Sequence, residues 1–166
     1  MCVLTERPDL VLAGVGNRYR TDDAVGLQLV EQYRQYGDSS VATELWDDFD
    51  GAAVAHRLVE LACPVLIVDC AELSLPGGGY KVLEGEKIQR ATVRNVVSTH
   101  GIGVAEGVQL AAALGYAQPL WLFGVQPFVI DMGETLSPQM AAILPDLQRD
   151  LSGVVAKLAC LEGRDG

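Results

Sequence analysis

Wholly apolar runs alternate along this chain with segments whose apolar positions recur every three or four residues. Leu10-Val11-Leu12 opens a run that predicts a buried strand over 10–16, and 22–36 follows as a helix with Val25, Leu29 and Tyr33 on its inward face. Gly37-Asp38-Ser39-Ser40 breaks that helix. Val41–Trp46 is a second, less apolar strand, and Ala52–Ala62 a second helix with Val54, Leu58 and Leu61 inward. Pro64–Asp69 is the clearest buried strand, apolar on both faces until its terminal carboxylate. After a loop at 73–79, Tyr80–Leu83 alternates as an edge strand and hairpin partner. Residues 84–97 carry no clear period. Ser98 caps a third helix whose buried face is Val104, Val108, Ala111 and Ala112. Pro119–Val125 is a further buried strand, 128–136 a loop, and Ser137-Pro138 a strong helix start. The last helix carries an apolar series from Met140 to Leu158, with Pro145 expected to kink or break it.

Strands apolar on both faces need helices on both sides of the sheet, and helical crossovers make neighbouring strands parallel. The expected fold is therefore α/β: a single domain over 1–166, a three-layer αβα sandwich around a mostly parallel, twisted sheet of about five strands. In such a sheet ligands collect at the carboxyl ends of the strands. Gly14 and Gly16 allow a sharp turn after the first strand, Thr21 is a candidate helix cap, and Asp22 and Asp23 fall in the first turn. The simplest account of two such acids is complementarity to the helix dipole. A dinucleotide fingerprint would need a third glycine where Tyr19 stands, and the two aspartates would repel a pyrophosphate.

Composition narrows the choices. The 166 residues are 49% hydrophobic, which suits one folded domain with a substantial core. A net charge of -10 with no basic run argues against a nucleic-acid or anionic-membrane partner. No segment reads as a signal peptide or a membrane span, so a cytoplasmic location is expected. Cys2, Cys63, Cys70 and Cys160 form no CxxC pair and read as reduced thiols. His56 lies off the buried stripe of its helix and reads as a surface residue, and Asp47, Asp48 and Asp50 as solvated loop charges.

Three side chains stand out against this background. Asp23 and Asp69 follow strands whose carboxyl ends share one edge of the sheet, and His100 falls in the first turn of a helix expected to start there. A helix N-terminus disfavours an imidazolium, which leaves the His100 ring neutral and free to bind a metal or take a proton. Two carboxylates and one imidazole suit a divalent transition metal while leaving coordination positions open.

Gly14-Val15-Gly16-Asn17 with Asp22-Asp23-Ala24-Val25-Gly26, then Val68-Asp69, then Ser98-Thr99-His100-Gly101, resembles the [NiFe]-hydrogenase maturation endopeptidases. The likeness extends to Phe123-Gly124-Val125-Gln126-Pro127 and Leu136-Ser137-Pro138. It implies that Asp23, Asp69 and His100 form a metal-sensing catalytic site, with Gly16, Asn17 and Asp22 as substrate contacts. It also implies a nickel-loaded hydrogenase large-subunit precursor as substrate, nickel that arrives with that substrate, and removal of a C-terminal extension. Whether the metal or a carboxylate activates the attacking water stays open. So does the alternative of a non-catalytic, nickel-binding accessory protein using the same three side chains. Arg18 and Arg20 stand where the family usually shows more apolar residues.

Overall fold

A computed structural model describes residues 7–92 and 103–163, of which 89–92 by backbone alone. Five strands form one sheet: β1 (Val11–Gly16), β2 (Ala42–Asp47), β3 (Val65–Cys70), β4 (Tyr80–Glu84) and β5 (Leu120–Val125). Their spatial order is β2-β1-β3-β5-β4. All pairings are parallel except β4 with β5, which is antiparallel. The expected α/β class and mostly parallel sheet are thus observed. β4 is an edge strand as expected, but it is no hairpin partner of β3, because β5 lies between them. Every residue of β5 is buried, whereas β4 is largely exposed, so only β5 suits an interior position.

Helices cover both faces. These are α1 (Val25–Tyr36), α2 (Gly51–Leu61), α3 (Gly85–Thr92), α4 (Val104–Ala113) and α5 (Pro138–Glu162). The period-2 alternation of the strands sorts their side chains between two cores. Leu12, Leu66, Val68 and Phe123 face α1 and α5, packing with Leu29, Leu147 and Leu151. Ala13, Val15, Ile67 and Leu122 face the other way, among Val54, Leu58 and Val108 of α2 and α4.

Local details depart from the sequence reading in several places. The helix that carries Val104, Val108 and Ala111 starts at Val104 with Gly103 as its N-cap, later than the start expected at Ser98. The helix expected from residue 22 opens as a separate 3-10 turn, Thr21–Ala24, before α1 begins. Asp50 is no free loop charge; its Oδ1 accepts from the Ala53 amide at 2.8 Å and caps α2. α3 occupies part of the stretch without a clear period, anchored by the buried Ile88. α5 runs unbroken through Pro145, a solvent-exposed position, while Met140, Leu144, Leu147 and Leu151 stay buried on either side of it. A proline on the wet face frees a carbonyl that water can satisfy, and packing on the dry face holds the helix together.

Glycines set how closely α1 sits on the sheet. A Cβ at Gly26 would lie 2.3 Å from the Val68 carbonyl oxygen and 2.7 Å from that of Val15. A Cβ at Gly14 would lie 2.7 Å from the Gly26 carbonyl oxygen. Backbone therefore meets backbone where β1, β3 and α1 cross, and the turn before α1 is drawn down onto the end of β3. Gly26→Ala tests this contact. Alanine gains at most about 1 kcal/mol of helix propensity, but its methyl group has no side chain to push aside. A net destabilisation of about 2 kcal/mol is expected, read as a lowered urea midpoint at unchanged m-value.

Candidate active site at the carboxyl edge of the sheet

Three connections leave the carboxyl ends of β1, β3 and β5 and meet over one edge. The first turns on Asn17. Its Oδ1 accepts from the Tyr19 amide at 2.9 Å, its carbonyl from the Arg20 amide at 3.2 Å, and its Nδ2 donates to Asp48 at 3.1 Å. A Cβ at Gly16 would fall 2.2 Å from the Asp23 carbonyl oxygen, so the absence of a side chain lets the 3-10 turn fold back over the strand. Asp23 emerges from this turn partly buried.

Asp69 lies at the end of β3, paired in register with Gly124 of β5. Burial holds its carboxyl well above the ordinary aspartate range, and the charge of Asp23 raises it further against a backbone hydrogen bond from Cys70. Asp23 is also raised, first by desolvation and then by Asp48, while Arg20 and a backbone hydrogen bond from Asn17 pull it down. The field of Asp23 thus reaches Asp69 across the edge. A carboxyl so placed gains from binding a proton or a cation. The neighbouring Cys70 thiol is pushed far above its usual range by burial and by the surrounding carboxylates, Asp69 foremost. It does not supply a thiolate nucleophile at neutral pH.

The adjacent aspartates have different surroundings. Asp22 is fully buried. Its Oδ2 accepts from the amides of Phe128 and Val129 at 2.9 and 3.0 Å and from the Ser137 hydroxyl at 2.9 Å. Its Oδ1 accepts from the Ser137 amide at 2.7 Å. Asp22 thus fastens the 3-10 turn to the β5–α5 connection, and Ser137 also caps α5 by accepting from the Met140 amide. Thr21 adds to the same seam. Its hydroxyl donates to the Val129 carbonyl and accepts from the Asp131 amide, so it is not the side-chain cap expected from sequence.

Of the residues expected to touch substrate, Asp22 and Gly16 are both buried, with Asp22 committed to four internal donors and Gly16 packed on backbone. Asn17 lies partly accessible at the rim. Arg18 is engaged there too, paired with Glu31 of α1 and Asp47 of β2. His100, with Ser98, Thr99 and Gly101, lies outside the described residues. Among the described residues no three His, Cys, Asp or Glu side chains are grouped so as to hold a metal. Asp23 and Asp69 offer oxygen donors from two elements, the hard part of a donor set that an imidazole would complete.

One organising residue was quoted from the sequence without a role. Gln126 is buried, accepts from the Leu73 and Leu75 amides through Oε1, and donates to Glu72 at 2.9 Å. It shapes the loop after β3. Its sequence signals are its place in the Phe123–Pro127 motif and its polarity directly after an apolar strand, and neither specifies this role.

Residues 47–152 match the family model of the hydrogenase maturation proteases. The hydrogenase expression/formation protein HupD of Thiocapsa roseopersicina is 30% identical over 90% of this chain and 72% of its own length. HoxM of Azotobacter vinelandii is 26% identical over 96% and 78%. Among solved structures, the hydrogenase maturating endopeptidase HybD of Escherichia coli superposes with a TM-score of 0.68 at 21% identity, covering 89% of this chain and 92% of that one. HycI, a [NiFe] hydrogenase maturation protease of Thermococcus kodakarensis, gives 0.65 at 19% identity over 95% and 96%. At those identities the structural likeness speaks for the fold.

The raised carboxyl of Asp69 has a consequence for stability. With a folded-state pKa above the ordinary 3.8, its stabilising contribution is full below that value and is lost as pH rises through the folded-state pKa. In chelator-treated protein, Asp69→Asn removes this loss. The melting temperature of the variant is expected to gain on wild type as pH rises above about 4; a constant offset would contradict the assigned direction.

Proposed function

The chain belongs to the hydrogenase maturation protease family and is an endopeptidase of hydrogenase maturation; from that we propose that it removes a C-terminal extension from a nickel-loaded [NiFe]-hydrogenase large-subunit precursor. The non-catalytic accessory reading falls with the family assignment. The observation that supports the proposal is the meeting of Asp23 and Asp69 at one sheet edge, two desolvated carboxylates of which Asp23 raises the proton affinity of Asp69.

Nickel accepts oxygen and imidazole donors, so the substrate's own metal suits Asp23, Asp69 and His100 as ligands. When bound it supplies Lewis acidity towards the scissile carbonyl. Correct loading of the precursor then becomes a condition for cleavage, because the protein alone holds an incomplete site. The chain's own residues do the remaining work. Asp23 and Asp69 orient what enters between them, and a carboxylate oxygen that the metal leaves free takes a proton from the attacking water. The water oxygen bonds to the carbonyl carbon, the C–N bond breaks, and the proton passes to the departing amine, so one amide and one water give one acid and one amine. Arg20, whose charge acts on Asp23, helps keep that carboxylate ionised and ready to bind.

The test uses purified precursor with and without nickel, followed by gel mobility and mass spectrometry of both fragments. Wild type is expected to cut only the loaded form. Asp23→Ala, Asp69→Ala and His100→Ala are each expected to slow cutting by about 10²-fold or more while melting cooperatively. Equal cleavage of nickel-free precursor overturns the metal gate, and full activity of the variants overturns the site.

A further inference from the structure

Eleven large hydrophobic side chains are exposed among the described residues, and five of them, Tyr19, Phe128, Val129, Ile130 and Met132, belong to two segments laced together beside the candidate site. The other six are scattered over α1, α2, β4 and α4, the turn after α4, and α5. Met132 is 80% exposed and Tyr19 62%. The two segments are joined by backbone: Gly133 donates to the Tyr19 carbonyl at 3.0 Å, Thr21 to Gly133 at 3.1 Å, and Asp22 to Val129 at 3.3 Å. Arg20 and Gly133 form an isolated parallel bridge.

The loop is therefore fixed from within. Asp22 and Thr21 hold its inner polar groups, and its apolar side chains are left facing water in a chain of net charge -10. Exposed apolar surface of this kind marks an interaction site, and a loop already ordered loses little entropy on binding. We propose that the strip Tyr19 with Phe128–Met132 is the docking surface for an apolar segment of the precursor next to its scissile bond. This rests on the function proposed above and adds where the substrate is gripped. The occupant follows from continuity: the carbonyl of Val129 receives the amide of Asp22, one residue from Asp23, so the strip borders the carboxylate edge and a chain bound at that edge has it as a neighbour. Tyr19 and Phe128 bring aromatic faces, and Met132 an adaptable thioether, the residue types that favour apolar partners.

The experiment measures binding and cutting separately. Titration calorimetry with nickel-loaded precursor gives Kd for wild type, for the double variant Ile130→Asp/Met132→Asp, and for Leu161→Asp. Leu161 is 58% exposed at the far end of α5 and serves as the control. Kd and KM are expected to rise at least tenfold in the double variant, with its melting temperature within a few degrees of wild type, and to stay within twofold for Leu161→Asp. Unchanged Kd and KM in the double variant overturn the docking surface, as does equal weakening by the control. Sedimentation velocity of the protein alone covers the other occupant: a dimer that the double variant dissociates also overturns the proposal. Should wild type bind precursor without cutting it, the protease reading of the previous subsection fails while the Kd comparison still decides this one. A double variant that unfolds is replaced by Tyr19→Glu, judged by the same ratios.

Discussion

A carboxylate taken out of water holds the working edge of this molecule together. Asp22 is fully buried and accepts four hydrogen bonds, three from backbone amides and one from the Ser137 hydroxyl, all on the connection from β5 to α5. An ionised carboxylate tolerates such burial only when its lone pairs are met, and charge-assisted bonds of this kind are roughly twice as strong as neutral ones. The arrangement is selective as well as strong. An apolar residue would leave four donors unpaired, and a neutral amide would turn its own donors on some of them. The turn that carries Asp23 thereby stays fastened to the loop that carries the exposed apolar strip.

The neighbouring carboxylate has the opposite surroundings. Asp23 meets one backbone hydrogen bond and the field of Arg20, yet stands opposite the more deeply desolvated Asp69. One residue of separation along a tight turn is enough to point one side chain into a polar seam and the other across the edge. The contrast separates roles: a fully satisfied carboxylate builds structure, and an under-satisfied pair has binding capacity left over. That capacity is what the proposed cleavage of a metal-loaded precursor would use.

The sheet supplies the rigidity behind both. β1, β3 and β5 are apolar on two faces and locked between helix layers, so their carboxyl ends occupy fixed positions. Gly14 and Gly26 then let α1 approach to backbone contact. The carboxylates are therefore held by elements that have no room to relax, and the connections at the edge are pinned by Asp22, Thr21 and Gln126 rather than by their own stiffness.

Much of this was legible along the chain. The apolar runs at 10–16, 64–69 and 119–125 dictated buried parallel strands, because no other element hides such runs on both sides. The order of those strands put Asp23 and Asp69 at one edge, since parallel strands end together. Periodicity is a local property, and it determined the elements and their inward faces. It did not distinguish Asp22 from Asp23, which are identical in type and adjacent; only the packing of the 3-10 turn against the β5–α5 connection, more than a hundred residues away in sequence, assigned them different work. The places of β4 beyond β5, of Asp50 as a cap and of Gln126 as a loop organiser were decided in the same way. Long-range hydrogen bonds are made where distant segments meet, and no local pattern of apolar and polar residues carries that information.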